Sequence, residues 1–246
     1  MNLYPVVILA GGLATRLHPI TEQIPKALVE IAGEPFIFHQ LRLLKSRGVH
    51  SVVVLAWYKG AMIYECVGDG TGFGLEVQYV FDGDEPLGTG GAIRHALPLL
   101  KDPFFVLYGD SYLPCDYERI QAHFHHYRQP GLMTVYRNHG KWDTSNVEMA
   151  NGQILRYDKK NRFPHMEFID YGLGVFQPFV FESLPENQSV DLVEVYQRLV
   201  ASHQLSAYEV EQRFYEVGSF EGLRELDELL KQDPDQFLKG RADELH

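Results

Sequence analysis

Cysteine is scarce in this sequence, with only Cys66 and Cys115 among 246 residues. Neither belongs to a Cys-x-x-Cys pair or has a histidine at zinc-site spacing, so the sequence predicts neither a disulfide framework nor a zinc site. No stretch approaches about 18 consecutive apolar residues, and no basic segment precedes the first apolar run. We therefore expect no membrane span, no signal peptide and a cytoplasmic location, where thiols stay reduced.

Basic residues are also fewer than acidic residues in this sequence. The chain has 33 acidic and 22 basic residues and a net charge of −11, so a general electrostatic attraction to nucleic acid or to an anionic membrane is not expected. An anionic ligand must instead meet cations that are placed locally. The 45% hydrophobic and 22% charged residues are typical of an ordinary soluble globular protein.

Short apolar runs alternate with helical patterns in the first half of the chain. The runs that predict strands are residues 4–10, 51–57, 75–81 and 103–110. The segments with helical periodicity are residues 35–48 and 90–100. This alternation predicts a mainly parallel sheet with helices on both faces, which binds ligands at the carboxyl ends of its strands.

The pattern changes after residue 110. Helical patterns at residues 116–129 and 189–203 enclose short strand-like runs, which are residues 132–137, 145–150, 153–158 and 171–176. No long polar linker separates the two halves, so we expect them to share one sheet and to face each other across a cleft. The predicted organisation is one domain over 1–232, divided into halves 1–115 and 116–232, with a polar tail at 233–246.

Two adjacent glycines follow the first predicted strand, and two cations follow the glycines. Gly11 and Gly12 precede Arg16 and Lys26, but the segment matches neither a Walker loop nor a dinucleotide-binding fingerprint. What remains is a glycine turn that approaches a base or phosphate closely, with two cations that neutralise a polyphosphate. A structural turn with two solvated cations is the alternative.

Five further features identify a resemblance to a known family. The segments "LAGGLATRLHPITEQIPKAL", "EPLGTGGAI", "YGDSYL", "RYDKK" and "FYEVGSFEGL" occur in this order between Val6 and Leu230. In this order they resemble the sugar-phosphate nucleotidyltransferases, also called nucleoside-diphosphate-sugar pyrophosphorylases. The resemblance implies a Rossmann-like α/β fold with a mixed, mainly parallel sheet and an α+β half that binds the sugar phosphate.

The resemblance also implies a reaction and its partners. A sugar 1-phosphate attacks the α-phosphorus of a nucleoside triphosphate, which yields a nucleotide sugar and pyrophosphate with the help of Mg²⁺. The chemistry agrees, because a phosphate monoester is largely dianionic near neutral pH and needs no general base. Catalysis then requires alignment and charge neutralisation. A monomer or a homodimer is expected.

Site residues follow from the same resemblance. Arg16 holds the departing pyrophosphate, Lys26 contacts the phosphates and Lys159 contacts the sugar phosphate. The residues expected around the nucleotide are Leu9, Ala10, Gly11, Gly12, Glu85, Gly88 and Thr89. Those expected around the sugar are Asn146, Asp158, Asp170, Tyr171 and Gly172. The expected ligands of Mg²⁺ are Asp110 and Glu216.

Two residues depart from the family pattern. Ala14 stands where the pattern has a third glycine, and we expect this alanine to have a negative φ, which it tolerates. Glu216 stands where relatives carry a metal-binding aspartate, and it keeps the charge and the hard oxygen ligand.

Several functions stay open. The short chain is most similar to heptose- or mannose-1-phosphate guanylyltransferases, but a uridylyltransferase that acts on an amino-sugar or muramic-type 1-phosphate also fits. Transfer of a cytidylyl group to a phosphocholine-like acceptor is a further alternative. Outside enzyme chemistry, a regulatory relative would bind a nucleotide sugar without turnover. A nicotinamide oxidoreductase would need the fingerprint that the sequence lacks.

Overall fold

Apolar strands from both halves of the chain join into one nine-stranded sheet in the computed structural model, which describes residues 2–142 and 144–238. Two further sheets have two strands each, β2 with β3 and β7 with β13. The strands of the described residues are β1 (Val6–Leu9), β2 (Glu30–Ile31), β3 (Glu34–Pro35), β4 (Ser51–Ala56), β5 (Glu76–Phe81), β6 (Phe104–Tyr108), β7 (Ser111–Tyr112), β8 (Gly131–Arg137), β9 (Val147–Ala150), β10 (Gln153–Tyr157), β11 (Phe168–Phe176), β12 (Leu205–Glu209) and β13 (Tyr215–Glu216).

Helices lie between most of these strands. They are α1 (Ile20–Gln23), α2 (Phe36–Ser46), α3 (Gly60–Val67), α4 (Gly88–Ala96), α5 (Tyr117–Tyr127), α6 (Phe179–Glu182), α7 (Leu192–Ala201) and α8 (Phe220–Gln232). Within the described residues, every helix is too short or too polar to cross a lipid bilayer.

The large sheet has the strand order β5-β4-β1-β6-β11-β8-β12-β10-β9. The first four strands pair in parallel, β11 pairs antiparallel with both β6 and β8, and β12 returns parallel to β8. The prediction of a mixed sheet flanked by helices is confirmed, and strands from the two predicted halves share it. The carboxyl ends of β1, β4 and β6 therefore meet at one edge, where such sheets bind ligands.

Alternate residues of β1 face the two sides of the sheet. Val6 and Ile8 belong to a core that includes side chains of α2, α3 and α5, whereas Val7 belongs to a core that includes side chains of α4, α6 and α7. All three side chains are fully buried, and each stabilises the fold by about 1.5–3 kcal/mol relative to an exposed position. Burial on both faces explains why the strand is uniformly apolar.

Helix α8 packs in a third core beside β2 and the start of α2. Its first turn is capped by Ser219, whose Oγ accepts a hydrogen bond of 3.1 Å from the N–H of Gly222. Immediately before this cap, β13 pairs antiparallel with β7 and brings Glu216 opposite Ser111. The C-terminal part of the chain thus returns to the edge of the sheet that carries Asp110.

Besides several elements of two to four residues, the longer elements β12 and α3 were not predicted from the sequence. Strand β12 has only five residues and is placed by its parallel pairing with β8, and α3 has only eight residues. Of the predicted polar tail, residues 233–238 are described, and Phe237 and Leu238 pack against the third core. The remaining tail residues, 239–246, lie outside the described part of the chain.

Candidate active site

Two adjoining cavities open at the carboxyl edge of the sheet. The first has a volume of about 410 Å³ and is lined by the turn after β1 and by the start of α4. The second has a volume of about 510 Å³ and is lined mostly by residues from the second half of the chain. Tyr108 and Asp110 line both cavities. A ligand in one cavity therefore lies next to a ligand in the other.

Backbone contacts hold the wall of the first cavity. Ala10 donates its N–H to the carbonyl of Leu55 at 2.7 Å, and Gly109 donates its N–H to the carbonyl of Leu9 at 3.1 Å. A Cβ on Gly109 would collide with the Leu9 carbonyl oxygen. Glycine at this position lets the turns after β1 and β6 approach closely, which opens the main chain toward a ligand.

Most residues predicted around the nucleotide line the first cavity. They are Leu9, Ala10, Gly11, Gly12, Gly88 and Thr89. Glu85 is exposed on the loop before α4, and the neighbouring Pro86 lines the cavity instead.

The hydroxyl of Thr89 has a specific contact with α7. It accepts a hydrogen bond of 2.7 Å from the N–H of Leu192 and donates one of 3.1 Å to Asp191 Oδ1. The sequence predicted Thr89 beside the nucleotide, and Thr89 does not cap its own helix, because the N-cap of α4 is Leu87. The hydroxyl of Thr89 therefore provides a hydrogen-bond acceptor for a backbone N–H in the first turn of α7.

Asp82 and Trp57 also line the first cavity, and neither was predicted from the sequence. Asp82 directly follows β5, and its Oδ2 accepts a hydrogen bond of 2.9 Å from the N–H of Leu87. Burial raises the pKa of this carboxyl above its usual range, although the Leu87 N–H partly opposes the shift. Its place at the carboxyl end of a parallel strand was the signal that could have revealed it.

The predicted cations lie at the two cavities. Lys26 lines the first cavity, and its Nζ is 2.9 Å from Asp110 Oδ2. Arg16 is exposed and lines the second cavity. Lys26 and Arg16 thus line the two cavities that share Asp110.

Asp110 and Glu216 are brought together although 106 positions separate them. A Cβ placed on Gly218 would lie 3.5 Å from Asp110 Oδ2 and 3.9 Å from Glu216 Oε1. The N–H of Val217 also donates to the carbonyl oxygen of Asp110 at 2.8 Å. Among the described residues, no group of three or more histidine, cysteine, aspartate and glutamate side chains could hold a metal ion. The arrangement supplies two carboxylates, which suits an ion that takes its other ligands from phosphate and water.

Asp170 is the most enclosed charged group of the second cavity, with a side chain that is 2% exposed. Its carboxylate accepts hydrogen bonds from the hydroxyls of Tyr108 and Tyr157, at 3.2 and 2.8 Å, and from the N–H of Gly172 at 3.1 Å. The ammonium of Lys159 lies 3.5 Å away. Burial, followed by the charge of Asp170, raises the pKa of Tyr108 and of Tyr157, so both hydroxyls keep their protons at neutral pH.

The other residues predicted around the sugar also line the second cavity. Asn146 uses its side-chain oxygen to accept the N–H of Asp170 at 2.9 Å. Asp158 accepts the backbone N–H groups of Lys160 and Asn161 and the side-chain amide of Asn161. The ring of Tyr171 is buried in the core beneath the cavity. These three side chains therefore have structural contacts of their own.

The predicted conformation of Ala14 is wrong. Its φ is +51° and its ψ is +45°, which is the left-handed helical region. The carbonyl oxygen of Ala14 accepts hydrogen bonds from the N–H of Leu17 at 3.0 Å and from Thr21 Oγ1 at 2.9 Å. These two bonds hold the turn in a conformation that favours glycine.

Comparison with known protein families matches residues 5–233 to the family described as nucleotidyl transferase. The chain is 30% identical over 220 residues to the mannose-1-phosphate guanylyltransferase catalytic subunit beta of Xenopus tropicalis, and this alignment covers 86% of the chain. The chain spans 60% of the length of that relative.

A second relative is the glucose-1-phosphate thymidylyltransferase of Streptomyces antibioticus, which is 25% identical over 248 residues, covering 97% of this chain and 69% of that protein. The fold is similar to the crystal structure of HddC from Yersinia pseudotuberculosis complexed with GMP-PN. That likeness has a TM-score of 0.78 and 24% identity, and it covers 93% of this chain and 100% of the other.

Proposed function

The chain belongs to the nucleotidyl transferase family, and we propose that it transfers a nucleotidyl group from a nucleoside triphosphate to a sugar 1-phosphate. The products are a nucleotide sugar and pyrophosphate. The observation that carries the proposal is the pair of adjoining cavities that share Tyr108 and Asp110. One cavity suits a nucleotide and the other suits a polar phosphorylated acceptor. Lys26 contacts Asp110, and Lys159 lies over the ring of Tyr108, so both shared residues have a cation beside them.

The reaction needs alignment and charge neutralisation more than acid–base chemistry. A sugar 1-phosphate oxygen attacks the α-phosphorus, and the bond from that phosphorus to the pyrophosphate oxygen breaks. We propose that Lys26, at the first cavity, contacts the triphosphate. Arg16 and Lys159, which both line the second cavity, would hold the departing pyrophosphate and the sugar phosphate respectively. All three side chains are cations at neutral pH and need no proton transfer.

We propose that Asp110 and Glu216 hold Mg²⁺. Their carboxylates lie within 4 Å of one point, and Mg²⁺ prefers oxygen ligands while taking several of them from phosphate and water. When bound, the ion would neutralise charge on the phosphate oxygens. The ammonium of Lys26 is 2.9 Å from Asp110 Oδ2, so this cation lies beside the proposed Mg²⁺ site.

Guanine is the base that Asp82 would favour. One carboxylate oxygen accepts the Leu87 N–H, and the carboxylate receives no other hydrogen bond within the described part of the chain. Guanine alone presents two adjacent donors, N1–H and N2–H₂. Uracil and thymine present one N–H between two carbonyls, and adenine and cytosine place a ring acceptor beside the amino group. We therefore propose GTP, with mannose or heptose 1-phosphate as the acceptor.

Uridylyl or thymidylyl transfer is the second candidate. It is supported by the relative named glucose-1-phosphate thymidylyltransferase, which the chain covers over 69% of its length. A muramic-type or other amino-sugar 1-phosphate would then be the acceptor. A cytoplasmic location and a monomeric or homodimeric state also belong to the proposal, and gel filtration with light scattering tests the latter.

The proposal is tested by pyrophosphate release with each common nucleoside triphosphate against a panel of sugar 1-phosphates. We expect release that requires both substrates and Mg²⁺, with GTP giving the highest kcat/KM. Asp110→Asn should lower turnover by orders of magnitude, because metal-borne charge stabilisation is worth several kcal/mol. Asp102→Asn, the same change at an exposed residue before β6, is the matched control. Nucleotide-sugar binding without any release would support the regulatory alternative and contradict the enzyme.

A further inference from the structure

The carboxylate of Asp170 has four partners within the described residues. Its Oδ2 accepts hydrogen bonds from the hydroxyls of Tyr108 and Tyr157 and lies 3.5 Å from the Lys159 ammonium, whereas Oδ1 accepts the N–H of Gly172. The side chain is 2% exposed, so almost none of its surface faces the cavity. This low exposure leaves a sugar hydroxyl little access to the carboxylate, and Oδ2, the oxygen that meets Lys159, already has three partners.

The donors come from three different strands. Tyr108 ends β6, Tyr157 ends β10 and Gly172 lies within β11 beside Asp170 itself. A buried carboxylate is stable only when it is paired and hydrogen-bonded, and this one is held by donors on β6, β10 and β11. Asp170 is therefore a rigid negative charge.

Lys159 is the more exposed partner of this charge. Its side chain is 41% exposed, its Nζ is 3.5 Å from Asp170 Oδ2, and the same atom is 4.7 Å from the centre of the Tyr108 ring. Tyr108 lines both cavities, so the ammonium lies beside their junction. An ammonium has three N–H groups, and those not directed at Asp170 can bind a phosphate.

We propose that Asp170 is a positioning residue, which holds the Lys159 ammonium at the junction of the two cavities where the acceptor phosphate meets the nucleotide. Tyr108 and Tyr157 fix the carboxylate, and Asp170 itself does not touch the sugar. The identity of the acceptor phosphate rests on the proposed function. The ion pair between Asp170 and Lys159 does not depend on that function.

The ion pair is tested without any substrate, by limited acetylation of lysines followed by mass spectrometry. Lys160 is the internal control, because it is adjacent and exposed and forms no ion pair with the described residues. In Asp170→Asn, which keeps the size and removes the charge, acetylation of Lys159 relative to Lys160 should rise severalfold. Tyr157→Phe should raise it less. An unchanged ratio in folded Asp170→Asn protein overturns the proposal.

The kinetic arm separates positioning from direct sugar contact. Asp170→Asn should lower kcat/KM for the sugar phosphate by about tenfold to a hundredfold, the scale of a misplaced catalytic group, while the KM of the nucleotide stays unchanged. In a Lys159→Met background, Asp170→Asn should lower kcat/KM little further, because Asp170 and Lys159 act as one unit. Equal losses in both backgrounds, or altered preference among epimeric sugars, contradict positioning and support direct contact.

The acetylation and kinetic experiments also distinguish a failure of the proposed function from a failure of the proposed role of Asp170. A wild-type protein that is inactive with every substrate pair would refute the proposed function, while the acetylation ratio would still decide whether Asp170 holds Lys159.

Discussion

Replacing Ala14 by glycine should stabilise the protein. Ala14 has a φ of +51°, and the left-handed conformation costs a non-glycine residue about 1–2 kcal/mol. Glycine removes that cost but adds about 0.4–1 kcal/mol of unfolded-state entropy. The difference gives an increase in the free energy of unfolding of between about zero and 1.5 kcal/mol.

The assay is urea unfolding at 25 °C with a fixed m-value, because a change in midpoint at constant m reports stability. Ala32→Gly is the matched control, since Ala32 has a φ of +50° in the turn between β2 and β3 and should respond in the same direction. A loss of about 0.4–1 kcal/mol in Ala14→Gly, the result expected for an alanine with negative φ, would refute the left-handed conformation.

Three further predictions concern the site. Thr89→Val should lower the free energy of unfolding by about 1–2 kcal/mol, as for a lost helix cap, whereas Thr89→Ser should retain most stability. Both are measured by urea unfolding, and equal stability of the two variants would contradict the contact with α7. Asp82→Asn should shift base preference from GTP toward XTP by about tenfold or more, as for a lost charged hydrogen bond, and unchanged kcat/KM ratios would exclude guanine recognition by this residue. Glu216→Gln should abolish most Mg²⁺-dependent turnover, whereas Glu216→Asp stays partly active and tolerates Mn²⁺; an unchanged Mg²⁺ titration in Glu216→Gln would show that Glu216 is not a ligand.

Local patterns were sufficient to predict most of the sheet and the turn after β1. Gly11 and Gly12 follow an apolar run that is buried on both faces, and such a run has few alternatives to a central strand. Asp110, which the family resemblance indicated, likewise follows an apolar strand, β6. In each case the information lies within about ten neighbouring residues.

Three features of the site could not be predicted from local patterns. The conformation of Ala14 depends on two hydrogen bonds to its carbonyl, and the bonding of Thr89 depends on where α7 begins. The enclosure of Asp170 requires β6, β10 and β11 to converge, which the sequence of any one strand does not reveal. These features follow from packing rather than from spacing.

The central claim is that a sugar phosphate oxygen attacks the α-phosphorus of a nucleoside triphosphate. It is tested most directly with a sugar 1-phosphate that carries ¹⁸O at its three non-bridging phosphate oxygens, with mass spectrometry of both products. The account predicts a nucleotide sugar that retains all of the label and pyrophosphate that contains none. Label in the pyrophosphate, or a nucleoside monophosphate without sugar as the main product, would contradict it.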